Sequence, residues 1–166
     1  LIYNGSIELK FFTIEEAMDQ KKVGKCGLYC GACPFYLATA SPEVKEYLTE
    51  KWGEWEEAWY CKGCGDLDEK SWCFGCKMLS CLEEKGLTHC SECVEEHCEE
   101  VEEFDNDDCL HHKTARSNRE RVKNMGCQAW LEEEIKHWTC SNCGSPFMWY
   151  SENCYKCGNK VEGLKK

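Results

Sequence analysis

The residues best equipped for chemistry in this chain are its cysteines, 17 of 166. A thiolate binds soft and borderline metal ions, and all but Cys109 and Cys127 stand in short, regular groups. The clearest group is Cys140, Cys143, Cys154 and Cys157: two Cys-x2-Cys pairs, ten residues apart, each followed by a glycine, Gly144 and Gly158. That spacing is the ligand set of a zinc ribbon, in which two knuckles wrap one tetrahedral ion. The glycines allow the left-handed turn that aims backbone amides at the sulfurs. Upstream, Cys61, Cys64, Cys73, Cys76, Cys81, Cys90, Cys93 and Cys98 offer eight ligands, which suits two sites of four. Within them Cys73-x2-Cys76-x4-Cys81 recurs, shifted by 17 residues, as Cys90-x2-Cys93-x4-Cys98. The partition is either sequential, Cys61 to Cys76 then Cys81 to Cys98, or interleaved. A third group, Cys26, Cys30 and Cys33, fills three corners of a site whose fourth ligand is Cys109, Cys127 or a histidine. Zinc is the expected cofactor. The alternative is one or more 4Fe–4S clusters within residues 26–98, because a tetrahedron of thiolates accepts either zinc or iron–sulfur.

Composition narrows the setting. Cys-x2-Cys pairs chelate one ion readily and rarely bond to each other, so metal is expected over disulfides, in a reducing cytoplasm. Residues 1–25 hold no apolar run of a secretory leader, and no stretch reaches the length of a membrane span. The net charge is −11. Four thiolates around a divalent ion add further negative charge, which disfavours nucleic acid as a partner and points to a protein partner. No Ser-His-Asp order, phosphate-binding glycine loop or HExxH helix is present, so no catalytic residues are assigned. A radical enzyme with a C-x3-C-x2-C cluster would need alternating strands and helices, and these are missing.

The elements that must position these ligands are mainly helical. Residues 1–25 read as an extension, with a strand at Ile7–Phe12 and a capping box at Thr13–Glu16. A helix is expected over 41–60, capped by Ser41 and opened by Pro42, with Val44, Leu48, Trp52, Trp55 and Trp59 on one core-facing side. Residues 61–98 read as knuckles and turns. Helical patterns follow at Val94–Phe104, at 114–125 (apolar Val122 and Met125), and at 127–138 (Leu131, Ile135 and Trp138), the last two broken at Gly126. The nine carboxylates from Glu95 to Asp108 form a solvated face that can pair with the basic run Lys113, Arg116, Arg119, Arg121 and Lys123. His89, His97, His111 and His112 read as surface residues. Phe147, Trp149 and Tyr150 read as the ribbon's own small core. The expected fold is a mostly α, metal-stabilised domain with irregular cysteine knuckles at 26–138, then a β zinc ribbon at 139–160 and a tail at 161–166. With separate ligand sets, Cys140→Ser is expected to disorder the ribbon alone.

One resemblance is specific. Cys26-Gly-Leu-Tyr-Cys30-Gly-Ala-Cys33-Pro34-Phe-Tyr-Leu-Ala38, the downstream CKGC and CFGC pairs, the two C-x2-C-x4-C units and the stretch Met125 to Leu131 line up in order. Over roughly residues 24–138 the chain resembles an uncharacterised prokaryotic family, domain of unknown function 3795, with the ribbon as an appendage. The resemblance implies a cytoplasmic prokaryotic protein with bound metal, presumed zinc, and supplies no activity. The function expected is a multi-site metal-binding protein, a non-enzymatic adaptor or accessory subunit. The alternative is an iron–sulfur subunit with zinc only in the ribbon.

Overall fold

Pro34 and Pro42 each open a helix, because a fixed φ and a missing N–H cost nothing in a first turn. The computed structural model describes residues 20–56, 59–64, 66, 69–71, 73–95 and 98–165. The strand and capping box expected before residue 20, and His97, lie outside them. Helix α1 spans Pro34–Ala40 and α2 spans Pro42–Trp52. The Ser41 hydroxyl accepts the Val44 amide proton at the start of α2, as expected. The helix then stops short of residue 60. Gly53 adopts φ +93°, which ends the α path at Trp52. The tryptophans still meet, because the chain folds back. Trp59 lies 5.7 Å from Trp52 and 5.4 Å from Trp55, and stacks on Phe35 at 5.8 Å. Trp52 stays 45% exposed, at the edge of this group.

Among the described residues, five further α-helices follow: α3 (Lys77–Lys85), α4 (Glu99–Asn106), α5 (Leu110–Lys113), α6 (Ala115–Met125) and α7 (Cys127–His137). The break at Gly126 is where the sequence places it. Two expectations need correction. The helix expected from Val94 begins at Glu99, and Val94 is 92% exposed. Met125 is 41% exposed, leaving Val122 as the buried residue of that face. The acidic and basic segments do pair. Asp105, buried on α4, meets Arg116 at 3.3 Å and also binds Arg119, both from α6.

The expected β ribbon is not seen as strands. The described residues hold only isolated bridges, Val23 with Tyr29, Thr139 with Pro146 and Asn153 with Lys160. Each C-terminal cysteine knuckle is a short hairpin closed by one bridge. The segment between the knuckles leaves the ribbon and enters the body. Phe147 and Trp149 join Val23, Leu28, Tyr29, Ala115, Trp130 and Leu131 in one core cluster. Met148, between them, joins Leu37, Val44 and Leu48 of α1 and α2 in the other. The core therefore runs across residue 139. The aromatic residues expected to fill the ribbon serve the whole molecule instead, and Tyr150 remains exposed.

Candidate metal centres

The C-terminal knuckles are near-copies of each other. Cys140 donates its amide to Ser145 O at 2.8 Å, and Gly144 donates to Cys140 O at 2.9 Å. Fourteen residues on, Cys154 donates to Asn159 O at 2.8 Å, and Gly158 to Cys154 O at 2.9 Å. Gly144 and Gly158 hold φ of +74° and +71°, the left-handed turn their position demands. The result brings four ligand atoms within 4.8 Å of one another. Sγ of Cys140 lies 3.7 Å from that of Cys157, and Sγ of Cys143 lies 3.6 Å from that of Cys154. A tetrahedral ion with metal–sulfur bonds of about 2.3 Å has edges of about 3.8 Å. These sulfurs are therefore too far apart for a disulfide and spaced for one ion. All 17 cysteines of the chain are free. Cys140 and Cys154 are buried while Cys143 and Cys157 face out, so the site sits at the surface with one side against the core. A hydrogen bond from Asn142 lowers the Cys157 thiol to about 6, and the Ser145 amide lowers Cys143. Burial raises Cys154 to about 11. This group of four cysteines can hold a metal ion.

The loop at residues 24–33 is held from two sides. From α6, Asn118 donates to Gly27 O at 3.0 Å and Arg119 to Cys26 O at 2.8 Å. From the short 3-10 turn Cys90–Glu92, Cys90 donates its amide to Lys25 O at 2.9 Å. His89 is buried, not a surface residue. Its Nε2 donates to Gly24 O at 3.1 Å, and its Nδ1 accepts the Ser91 amide proton at 3.1 Å. Only glycine fits at 27. Its φ is +103°, and a Cβ there would stand 2.6 Å from Ala115 O. The clamp by Asn118 and Arg119 had no signal in the sequence beyond the basic run.

This loop delivers its three thiols to those of the 61–76 stretch. Cys64 shares hydrogen bonds with both Cys30 and Cys73, and Cys61 shares one with Cys73. Cys33 feels the charge of Cys61 and Cys64, and Cys26 that of Cys64, Cys90 and Cys76. Burial pushes Cys26 and Cys33 up to about 12. Cys30 rises through its hydrogen bond to Cys64 and through burial. Hydrogen bonds from Cys30 and Cys73 take Cys64 down to about 3, and Cys73 rises in return. Cys61 falls to about 7, chiefly through its bond from Cys73. Cys30, Cys61, Cys64 and Cys73, linked in this way, cannot all ionise unaided; a cation among them would permit it.

The second half of the eight-cysteine stretch adjoins this group through Cys90. Cys81, Cys90, Cys93 and Cys98 line one cavity of about 410 Å³, beside Lys85 and Arg119. These four cysteines share that cavity, while Cys30 is hydrogen-bonded to Cys64 of the first half. Burial raises Cys90 to about 11, with Cys98, Cys81 and Cys93 adding to the rise. The sequence repeat is not a structural one. Cys76 directly precedes α3 and Cys81 lies inside it, whereas Cys98 precedes α4. Of the two unassigned cysteines, Cys127 lies beside Gln20, and Cys109 groups with His111 and His112.

No helix of the described residues is long and apolar enough to cross a membrane. No curated protein and no solved structure matches the chain. The family match ends before α6, α7 and the C-terminal knuckles. Residues 22–103, carrying the clamped loop and its thiols, match the family described as a protein of unknown function (DUF3795).

Proposed function

We propose that this is a multi-site zinc protein acting as a non-enzymatic adaptor or accessory subunit for a protein partner. The observation that carries the reading is the C-terminal quartet of sulfurs, set 3.6 and 3.7 Å apart across the two knuckles. Sulfurs at that spacing share a single ion. The cysteines of a 4Fe–4S cube each bind a different iron and stand farther apart. Cys81, Cys90, Cys93 and Cys98, which help to line one cavity, are the candidate ligands of a second site of the same donor type. The thiols of Cys26, Cys30, Cys33, Cys61, Cys64, Cys73 and Cys76 support a third centre. There they exceed what one tetrahedral ion needs. Seven thiols likewise exceed the four that hold one 4Fe–4S cluster, and thiolates accept either, so the second reading is an iron–sulfur cluster in this group, with zinc kept in the ribbon.

Metal analysis of protein purified without oxygen tests the proposal. A colourless protein carrying zinc and no iron is the expected result. A brown protein with iron and acid-labile sulfide would establish the second reading for the buried group. A metal-free chain with oxidised sulfurs would overturn both.

A further inference from the structure

At the junction of α4 and α5, one ligand atom each from Cys109, His111 and His112 lie within 4.8 Å of one another. The two imidazoles are held from behind. His112 Nδ1 is 2.6 Å from Asp107 Oδ2, and His111 Nδ1 is 2.6 Å from the Tyr150 hydroxyl. When Nδ1 carries the proton and donates it to these oxygens, Nε2 of each ring can take a metal. A carboxylate behind an imidazole is the arrangement that orients a metal-binding histidine and raises its basicity. The ring faces are clamped as well: His112 stacks on Phe104 at 3.9 Å, and His111 on Trp149 at 4.1 Å. The other Asp107 oxygen accepts the Cys109 amide proton at 2.8 Å. One carboxylate therefore fixes both the cysteine's backbone and the histidine's ring.

We propose that Cys109, His111 and His112 form a further metal site, for a divalent first-row transition ion, with zinc the best match to one thiolate and two imidazoles. Three protein ligands leave a fourth position for water or an incoming donor, and Cys109 lies at the surface. This ion exchanges with solution more readily than one enclosed by four thiolates. No ligand is shared with the thiolate groups, so occupancy of this site is read separately from theirs, although Trp149 and Tyr150 brace it from the C-terminal segment. Asp107 acts as a positioning residue.

Zinc titration against a colorimetric competing chelator tests it, comparing the full chain with a Cys109→Ser/His112→Gln double variant. The parent chain should take up one more zinc ion than the double variant, and that ion should be the most easily removed. Asp107→Asn should weaken its uptake by about 10- to 100-fold and leave the other bound zinc unchanged. Equal uptake by parent and double variant overturns the proposal. A second measurement needs no variant. Alkylation of Cys109 by iodoacetamide, mapped by peptide mass, should slow when zinc is added, and a rate indifferent to zinc overturns the proposal. The peptides holding Cys140 to Cys157 report the thiolate site in the same digest, so failure at one site is read apart from failure at the other.

Discussion

His89 shows how a single side chain can hold the scaffold of a candidate centre without being a ligand. Its ring joins the Gly24 carbonyl to the turn that carries Cys90, and the Nδ1 contact requires the neutral form with the proton on Nε2, because a protonated ring cannot accept the Ser91 amide. Burial, the main cause, lowers its pKa below the ordinary 6.5. The folded state therefore binds the second proton less readily than the unfolded chain does. The stabilisation is complete above pH 6.5 and declines as pH falls below it. Acid also strips metal from thiolates, so the decisive comparison is with His89→Gln, which keeps a donor but cannot titrate. Urea midpoints of the parent should fall more steeply below pH 6.5 than those of His89→Gln; parallel curves would refute the assignment. The sequence offered no warning of this. A histidine beside cysteines looks the same whether it lies on the surface or under a loop, because its burial depends on contacts 65 residues away.

At the scale of elements, local chemistry was legible and reach was not. Ser41-Pro42 and Gly126 set helix boundaries through capping and φ alone, and the structure keeps them. Gly53 lies inside the helix expected over 41–60, yet its φ of +93° ends that helix. The knuckles followed from spacing, because Cys-x2-Cys-Gly geometry is local. What lies between them did not, because where Phe147, Met148 and Trp149 point depends on partners far away in sequence. Trp149 is 7% exposed and its amide donates to Ala32 O at 3.1 Å. Trp149→Ala should cost about 3–5 kcal/mol of stability, seen as a lower denaturant midpoint for helix signal. A loss confined to the C-terminal knuckles, with helix unfolding unchanged, would contradict this packing.

For the molecule as a whole, the continuity of the core across residue 139 changes what a ligand substitution should do. Cys140→Ser was expected to disturb the ribbon alone. With Met148 in the cluster of α1 and α2, and Phe147 and Trp149 in that of α6 and α7, the disturbance should spread. Hydrogen exchange should quicken in α1, α2 and α7 as well as in residues 139–160. Faster exchange limited to 139–160 would restore the picture of two independent units. The three consecutive side chains at 147–149 thus act as a rivet, with the C-terminal cysteine quartet and the ion it can hold as its head. If that ion is withdrawn, the protein offers proteases more than a frayed end, because both helical layers loosen with it. The lifetime of the chain in a cell would then follow the supply of metal, and chelation should shorten its half-life well before synthesis changes.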